Sequence, residues 1–180
     1  IRRGEDVTRQ QLQLETTTTA SGELRDFSQT ETSGPSTTTV TGRRVPGGLS
    51  IERGKTTTTI PWNLEHGGFF SVTRSLLQSP LHAGETRTVT ELTPQVLQAN
   101  DVLLTALKEE SIVTPGGVKQ LLKVRRTDRL PTGELVSWMW IDSQGTVHAV
   151  RIEGIELWQF LATRELAEQP LADPSGDLLE

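Results

Sequence analysis

Residues 36–60 read STTTVTGRRVPGGLSIERGKTTTTI, and their composition indicates the fold class. Threonine and valine are β-branched, so they favour a pleated strand and disfavour a helix. The turn residues Pro46-Gly47-Gly48 divide the stretch, and another run of threonines lies at 16–19. The threonine runs begin at residues 16, 37 and 56, with turn residues between them. This pattern predicts an antiparallel meander.

The strands of this meander are expected near residues 8–19, 23–33, 36–45, 48–53 and 55–60. Disorder of low complexity is the alternative for a segment so rich in threonine. Apolar residues such as Leu24, Phe27, Val40 and Ile51 interrupt the runs at the spacing of a buried strand face, which favours the meander.

One segment departs from the β pattern. Apolar residues recur at helical spacing after the meander: Phe69, Val72, Leu76 and Leu77. They predict a short helix near 67–78 that ends before Pro80 and packs its apolar face on a sheet.

Strand signals then resume to the end of the ordered part of the sequence. We expect strands near 85–92, 101–109, 118–127, 135–141 and 146–152, with 156–163 as a possible last strand and helical propensity at 164–167. The turn at 142–145 (Asp-Ser-Gln-Gly) makes the clearest hairpin. We therefore predict a mainly β domain over 1–168, and an acidic linker or disordered tail over 169–180.

Composition limits the classes of function. The 180 residues include no cysteine, which excludes disulfides and thiolate chemistry. The net charge is −5, and the sequence gives no sign of the basic face that a nucleic-acid-binding domain usually has. No apolar run reaches the ~20 residues that would span a membrane. No cofactor is expected.

Signals for catalysis or metal binding are weak. His66, His82 and His148 have no second histidine two or four residues away, so we predict no metal site and no catalytic residue. The acidic spots 65–66 and 109–110 leave a carboxylate-dependent hydrolase as a less favoured alternative, because such an enzyme needs two carboxyl groups roughly 5–10 Å apart.

The tryptophans carry the strongest hint of a site. Trp138 and Trp140 are two residues apart on one predicted strand, so their rings share a face. Packing in the core is the favoured interpretation. The functional interpretation is an apolar groove on the concave side of a curved sheet, able to hold an acyl chain, a sugar ring or a peptide. The candidate ligand-binding residues are Trp138, Trp140, Trp62 and Phe70.

The order of motifs resembles a known kind of protein. Ile60-Pro61-Trp62 follows the meander, Leu81-His82-Ala83-Gly84-Glu85 follows the helix, and Trp140-Ile141-Asp142-Ser143-Gln144-Gly145 forms the hairpin. Over roughly residues 10–168 this resembles the region before the catalytic domain in transglutaminase-like proteins of planctomycete-type bacteria. The hairpin also resembles those of lipoprotein carriers, whose fold is a curved antiparallel half-barrel. That fold implies about nine to eleven strands with the one helix packed on them.

The resemblance implies that the chain lies beside a catalytic domain and carries no catalytic residues itself. A transglutaminase-like domain uses Cys, His and Asp, and this chain has no cysteine, so no catalytic residue carries over. We expect a non-catalytic accessory or binding domain of a larger cell-envelope or periplasmic protein. Its partner would be a downstream domain of the same chain or another envelope protein. The alternative is a carrier or binding module for a lipid, glycan or peptide on the concave face of the sheet. Its partner would then be a hydrophobic ligand or a peptide.

Overall fold

The structure is a computed structural model, and it describes residues 2–3, 6–7, 10–62, 68–93, 97–131, 133–155 and 157–167. The strands are β1 (Arg2–Arg3), β2 (Asp6–Val7), β3 (Gln10–Thr18), β4 (Leu24–Ser33), β5 (Ser36–Val45), β6 (Gly48–Arg53), β7 (Thr56–Pro61), β8 (Thr86–Thr93), β9 (Gln98–Thr114), β10 (Gly117–Leu130), β11 (Gly133–Ile141), β12 (Val147–Ile152) and β13 (Leu157–Phe160). The helices are α1 (Ser71–Gln78), between β7 and β8, and the single turn α2 (Arg164–Ala167).

The strands form antiparallel meanders in which neighbours in sequence are neighbours in space. Strands β3 to β7 make a five-stranded sheet, β8 to β13 make a six-stranded sheet, and β1 pairs with β2. The mainly β class with one short helix is confirmed. These eleven strands form two sheets because α1 interrupts the meander between β7 and β8. No closed barrel forms among the described strands.

The five-stranded sheet follows the threonine-rich meander closely. Strands β4, β5 and β6 begin and end within one residue of the predicted ranges. The face turned away from the core carries threonine pairs across the strands, and hydroxyl groups of Thr30 and Thr39 lie 3.3 Å apart. The first predicted strand includes residues 8 and 9, which lie outside the described residues, as does the predicted tail over 169–180.

Strand β8 holds both ends of α1 with charges that match the helix dipole. The carboxylate of Glu91 accepts a 2.9 Å hydrogen bond from the backbone N–H of Val72 in the first turn. Arg87 donates to the carbonyl oxygens of Ser75 at 3.0 Å and Ser79 at 2.6 Å near the last turn. Glu91 and Arg87 are four residues apart on β8, and α1 is eight residues long. Both lengths are roughly 12–13 Å, so the two side chains reach opposite ends of the helix. An anion thus meets the N-terminus and a cation meets the C-terminus.

Glu91 belongs to a buried ionic group. Arg126 on β10 donates to Glu91 at 2.7 Å and to both carboxylate oxygens of Asp128, at 2.8 and 2.5 Å. Burial raises the pKa of Glu91 above its ordinary value, although Arg126 opposes that rise. Since each buried carboxylate oxygen of Glu91 has a donor, the group fixes the helix on the sheet without leaving an unpaired charge.

Two core clusters lie on either side of this region. The first cluster sits between α1 and the six-stranded sheet, where Val72 and Leu76 pack on Val124, Met139 and Ile141. The second cluster joins the five-stranded sheet to the end of β8 and to the residue just before β9, through these residues: Leu24, Phe27, Val40, Leu49, Ile51, Trp62, Phe69, Leu92 and Leu97. The predicted packing of the helix on a sheet is confirmed.

The helix begins later than the spacing of apolar residues predicts. It starts at Ser71 instead of near residue 67, because Gly68 has a φ of +106° and its carbonyl accepts a hydrogen bond from Leu92 of β8. Residue 67 lies outside the described part of the chain. Leu77, predicted on the apolar face, is exposed. Among the described residues, no helix has the length and apolar character needed to cross a membrane.

Candidate binding face

The two faces of the six-stranded sheet differ in what covers them. On β11, Met139 and Ile141 point under α1 into the first core cluster. Trp138 and Trp140 alternate with them and therefore point to the opposite face. There Trp140 packs with Leu121 and Ala149 in a separate small cluster. The helix thus covers the face that carries Met139 and Ile141. On the face that carries the tryptophans, the contacts are with other side chains of the sheet.

Trp140 continues into a row of stacked rings across three strands. Its ring centroid lies 5.0 Å from that of Trp158 on β13, at an interplanar angle of 21°. Trp158 in turn stacks on Phe160 at 5.6 Å and 6°. We call these three stacked rings, together with Trp138 on the same face of β11, the aromatic row. Such ring pairs each contribute about 0.5–1.5 kcal/mol beyond area burial.

A small residue between the strands makes the row possible. Ala149 of β12 pairs with Trp140 on one side and with Phe160 on the other. It is buried, and its short side chain leaves room for Trp140 and Trp158 to meet above it. The row is buried at the β11 end and open at the β13 end, since Trp140 is 3% exposed, whereas Trp158 is 40% and Phe160 is 39% exposed.

Charged groups fix the buried end of the row. The indole N–H of Trp140 donates to Glu110 Oε1 at 2.7 Å, and the Lys123 ammonium lies 3.2 Å from the same oxygen. Lys123 also lies over the ring of Trp138, 4.9 Å from its centroid. Burial raises the pKa of Glu110, but hydrogen bonds from Trp140 and Lys123 outweigh it and hold that pKa below its ordinary value. Trp140 is therefore held in one orientation beside an ionised carboxylate.

The open end of the row is the edge of the sheet. Strand β13 pairs with β12 on one side, and within the described residues no strand pairs with its other side. Leu161 N–H donates to His148 O at 2.9 Å, toward β12. Because hydrogen-bonding directions alternate along a strand, Gln159 faces β12 as well, and Trp158 and Phe160 turn their backbone N–H and C=O outward.

Apolar side chains surround this free edge. All four residues of β13 are exposed, and so is Leu161 after it. Exposed edge strands are usually short, charged or covered, because their unpaired backbone groups can pair with another chain. The β13 edge is short, but no side chain on it is charged.

A pocket of about 410 Å³ lies beyond the end of the aromatic row. Its lining residues are Thr114, Pro115, Gly116, Lys119, His148, Leu161, Ala162, Thr163 and Leu166. His148 Nε2 lies 2.9 Å from Asp142 Oδ2, and its Nδ1 lies 3.3 Å from Lys119 Nζ. Burial raises the pKa of Asp142, but hydrogen bonds from His148 and from the backbone of Thr146 and Gln144 lower it overall.

The structure brings together two of the four candidate residues. Trp138 and Trp140 lie in the aromatic row. Trp62 is 7% exposed and belongs to the second core cluster, between the sheets. Phe70 is 56% exposed just before α1, away from the row. Trp158 and Phe160 were missed, although their spacing of two residues is the same signal as that of Trp138 and Trp140.

The histidines and acidic residues that the structure describes are separate from one another. His82 is exposed beside Glu85, whereas His148 is mostly buried against Asp142, and His66 and Glu65 lie outside the described residues. Glu110 is engaged by Trp140, while Glu109 lines a different pocket near Leu81 and Ser143. In the part of the chain that the structure describes, no three His, Asp or Glu side chains cluster closely enough to hold a metal ion.

Comparison with known proteins gives no relative. No protein-family model matches the chain. No curated protein and no solved structure matches it significantly either.

Proposed function

We propose that the chain is a non-catalytic binding module, and that it takes up an extended peptide segment as an additional strand beside β13. The observation that carries this proposal is the free edge at Trp158 and Phe160. There, outward backbone groups lie next to exposed aromatic rings. In strand addition, main-chain hydrogen bonds supply affinity, and pockets for alternate side chains supply specificity.

The same geometry favours a peptide over the other two ligand classes expected from the sequence. Trp158 already stacks against Trp140 and Phe160, which leaves little ring face for a sugar. An acyl chain would use the apolar rings but would form no hydrogen bonds with the outward N–H and C=O groups of β13. A peptide strand uses both the rings and the backbone groups.

The place of the module in a larger protein is also part of the proposal. The order of motifs supports an accessory domain of a cell-envelope protein that precedes a transglutaminase-like domain. The peptide segment would then belong to that downstream domain or to another envelope protein. Sequencing the gene on both sides of this region tests it. A reading frame that stops near Glu180, with only a signal peptide upstream, would contradict it.

Selection from a displayed library of random peptides tests the binding function. The immobilised chain should enrich peptides of extended character with apolar residues at alternate positions. These peptides should lose at least about tenfold in affinity for the double variant Trp158→Ser/Phe160→Ser, because the aromatic packing is lost. The variant Phe70→Ser is the matched control, since it removes an exposed ring away from the edge.

The outcome distinguishes specific binding at the β13 edge from non-specific binding to exposed aromatic residues. Peptides that bind the double variant as well as the wild type would contradict the proposal, as would a selection without enrichment. Peptides that lose affinity equally with Phe70→Ser would show that the exposed aromatic residues act without reference to β13.

A further inference from the structure

The pocket beyond the aromatic row combines a cation with apolar walls. Lys119 and His148 lie on its polar side, and Leu161, Ala162 and Leu166 are among the residues that line its apolar side. Its volume of about 410 Å³ is within the range of small-molecule sites, which runs from roughly 300 to 1,000 Å³. Leu161 and Leu166 are exposed, so a ligand in the pocket would cover apolar surface that is now in contact with water.

In the part of the chain that the structure describes, no neighbouring carboxylate neutralises the Lys119 charge. Among the described residues its Nζ contacts His148 Nδ1 at 3.3 Å and forms no ion pair with Asp or Glu. The nearby Asp142 is already engaged. Its Oδ1 accepts 2.9 Å hydrogen bonds from the backbone N–H groups of Gln144 and Thr146, and its Oδ2 contacts His148. The aspartate thus orients His148, and the ammonium remains available to an anion.

We propose that this pocket binds the carboxylate group of a small amphiphile, with Lys119 as the anion partner and the leucines against the apolar body. A carboxylate beside a half-buried ammonium gains a charge-assisted hydrogen bond, which is about twice as strong as a neutral one. His148 Nδ1 accepts a hydrogen bond from the Lys119 ammonium, so it positions the ammonium and does not compete for the anion. This site differs from the one for strand addition at β13, which uses the backbone of Trp158 and Phe160, and the side chain of Leu161 borders both.

Calorimetric titration with a matched set of ligands tests the proposal. The probes are octanoate, octanol and octylamine, used below the concentration at which each forms aggregates. Octanoate should bind most tightly, because only its head group complements Lys119. In Lys119→Met, which keeps an apolar stem of similar length, the affinity for octanoate should fall about tenfold, while the weak binding of octanol should stay unchanged.

Two further variants make the result specific. Lys55→Met removes an exposed lysine in the turn between β6 and β7 and should leave octanoate binding unchanged. The double variant Trp158→Ser/Phe160→Ser should also keep octanoate binding, so that failure of this site and failure of the peptide edge are distinguishable. Equal affinities for octanoate and octanol, or an unchanged affinity in Lys119→Met, would overturn the proposal.

Discussion

The contact between α1 and the turn from β11 to β12 makes a sharp prediction at Gly145. This glycine has a φ of +81°, and a Cβ added to it would overlap the backbone carbonyl of Leu76 in α1. Gly84 offers a matched control. Its φ is +86°, and a Cβ there would meet no atom within 4 Å. Replacing each by alanine therefore imposes the same backbone penalty, but only Gly145→Ala also pushes on the helix.

The magnitudes follow from these two terms. An L-residue in the left-handed region costs about 1–2 kcal/mol, and both variants pay this cost. Overpacking against a backbone atom adds about 1–3 kcal/mol for Gly145→Ala alone. Gly84→Ala should therefore lose about 1–2 kcal/mol of unfolding free energy, and Gly145→Ala about 2–5 kcal/mol.

Urea denaturation followed by tryptophan fluorescence measures both losses. The midpoint should shift further for Gly145→Ala than for Gly84→Ala, with the slope of the transition unchanged. If the two variants lose the same free energy within about 0.5 kcal/mol, the helix does not rest on this turn. That result would refute the arrangement of the first core cluster.

Two other predictions concern the buried charges. In Arg126→Met, Glu91 and Asp128 lose their cation, so the unfolding free energy at neutral pH should fall by about 3–5 kcal/mol. The loss should shrink as the pH falls, because burial raises the pKa of Glu91 and protonation removes its charge; a loss below about 1 kcal/mol would count against the network. Burial raises the pKa of Glu110, but its hydrogen bonds, first that from Trp140, bring it below the ordinary value of 4.5. The ionised form therefore stabilises the fold above that value, and this contribution is lost as the pH falls through the folded-state pKa. Over that acid range the urea midpoint of the wild type should fall more than that of Glu110→Gln, and parallel curves would contradict the role of the Trp140 hydrogen bond.

The strands of the threonine-rich meander could be predicted because their limits are local. Turn residues such as Gly34 and Gly47, with φ of +57° and +78°, end one strand and start the next. β-branched residues fill the strands between them. These are properties of a few neighbouring residues, so β4, β5 and β6 agree with the sequence pattern.

The start of the helix and the division into two sheets depend on distant contacts. The helix begins at Ser71 because β8 supplies the hydrogen bonds to Gly68 and Val72, and no feature of residues 67–71 contains that information. The division into sheets likewise depends on which strands meet after α1. A spacing of apolar residues predicts a buried face, but it does not give the partner of that face.

The candidate site was half predictable for the same reason. Alternation on β11 places Trp138 and Trp140 on one face, and the same rule applies to Trp158 and Phe160. What the sequence does not contain is that β13 is an edge strand and that Ala149 lets the rings of two strands meet. The contact of Lys119 with His148 joins residues twenty-nine positions apart, so it could not be predicted from a local pattern either.

Hydrogen exchange at the β13 edge, measured by NMR with and without a peptide selected on the chain, shows whether the peptide adds a strand to the sheet. In the free chain the amides of Trp158 and Phe160 point outward and should exchange fast, whereas Gln159 and Leu161 should be protected by β12. The bound peptide should slow exchange at Trp158 and Phe160 by at least about tenfold, with little change at Gln159. If the bound peptide leaves the amides of Trp158 and Phe160 unprotected, it does not add a strand to this edge, and the proposed mode of binding is wrong.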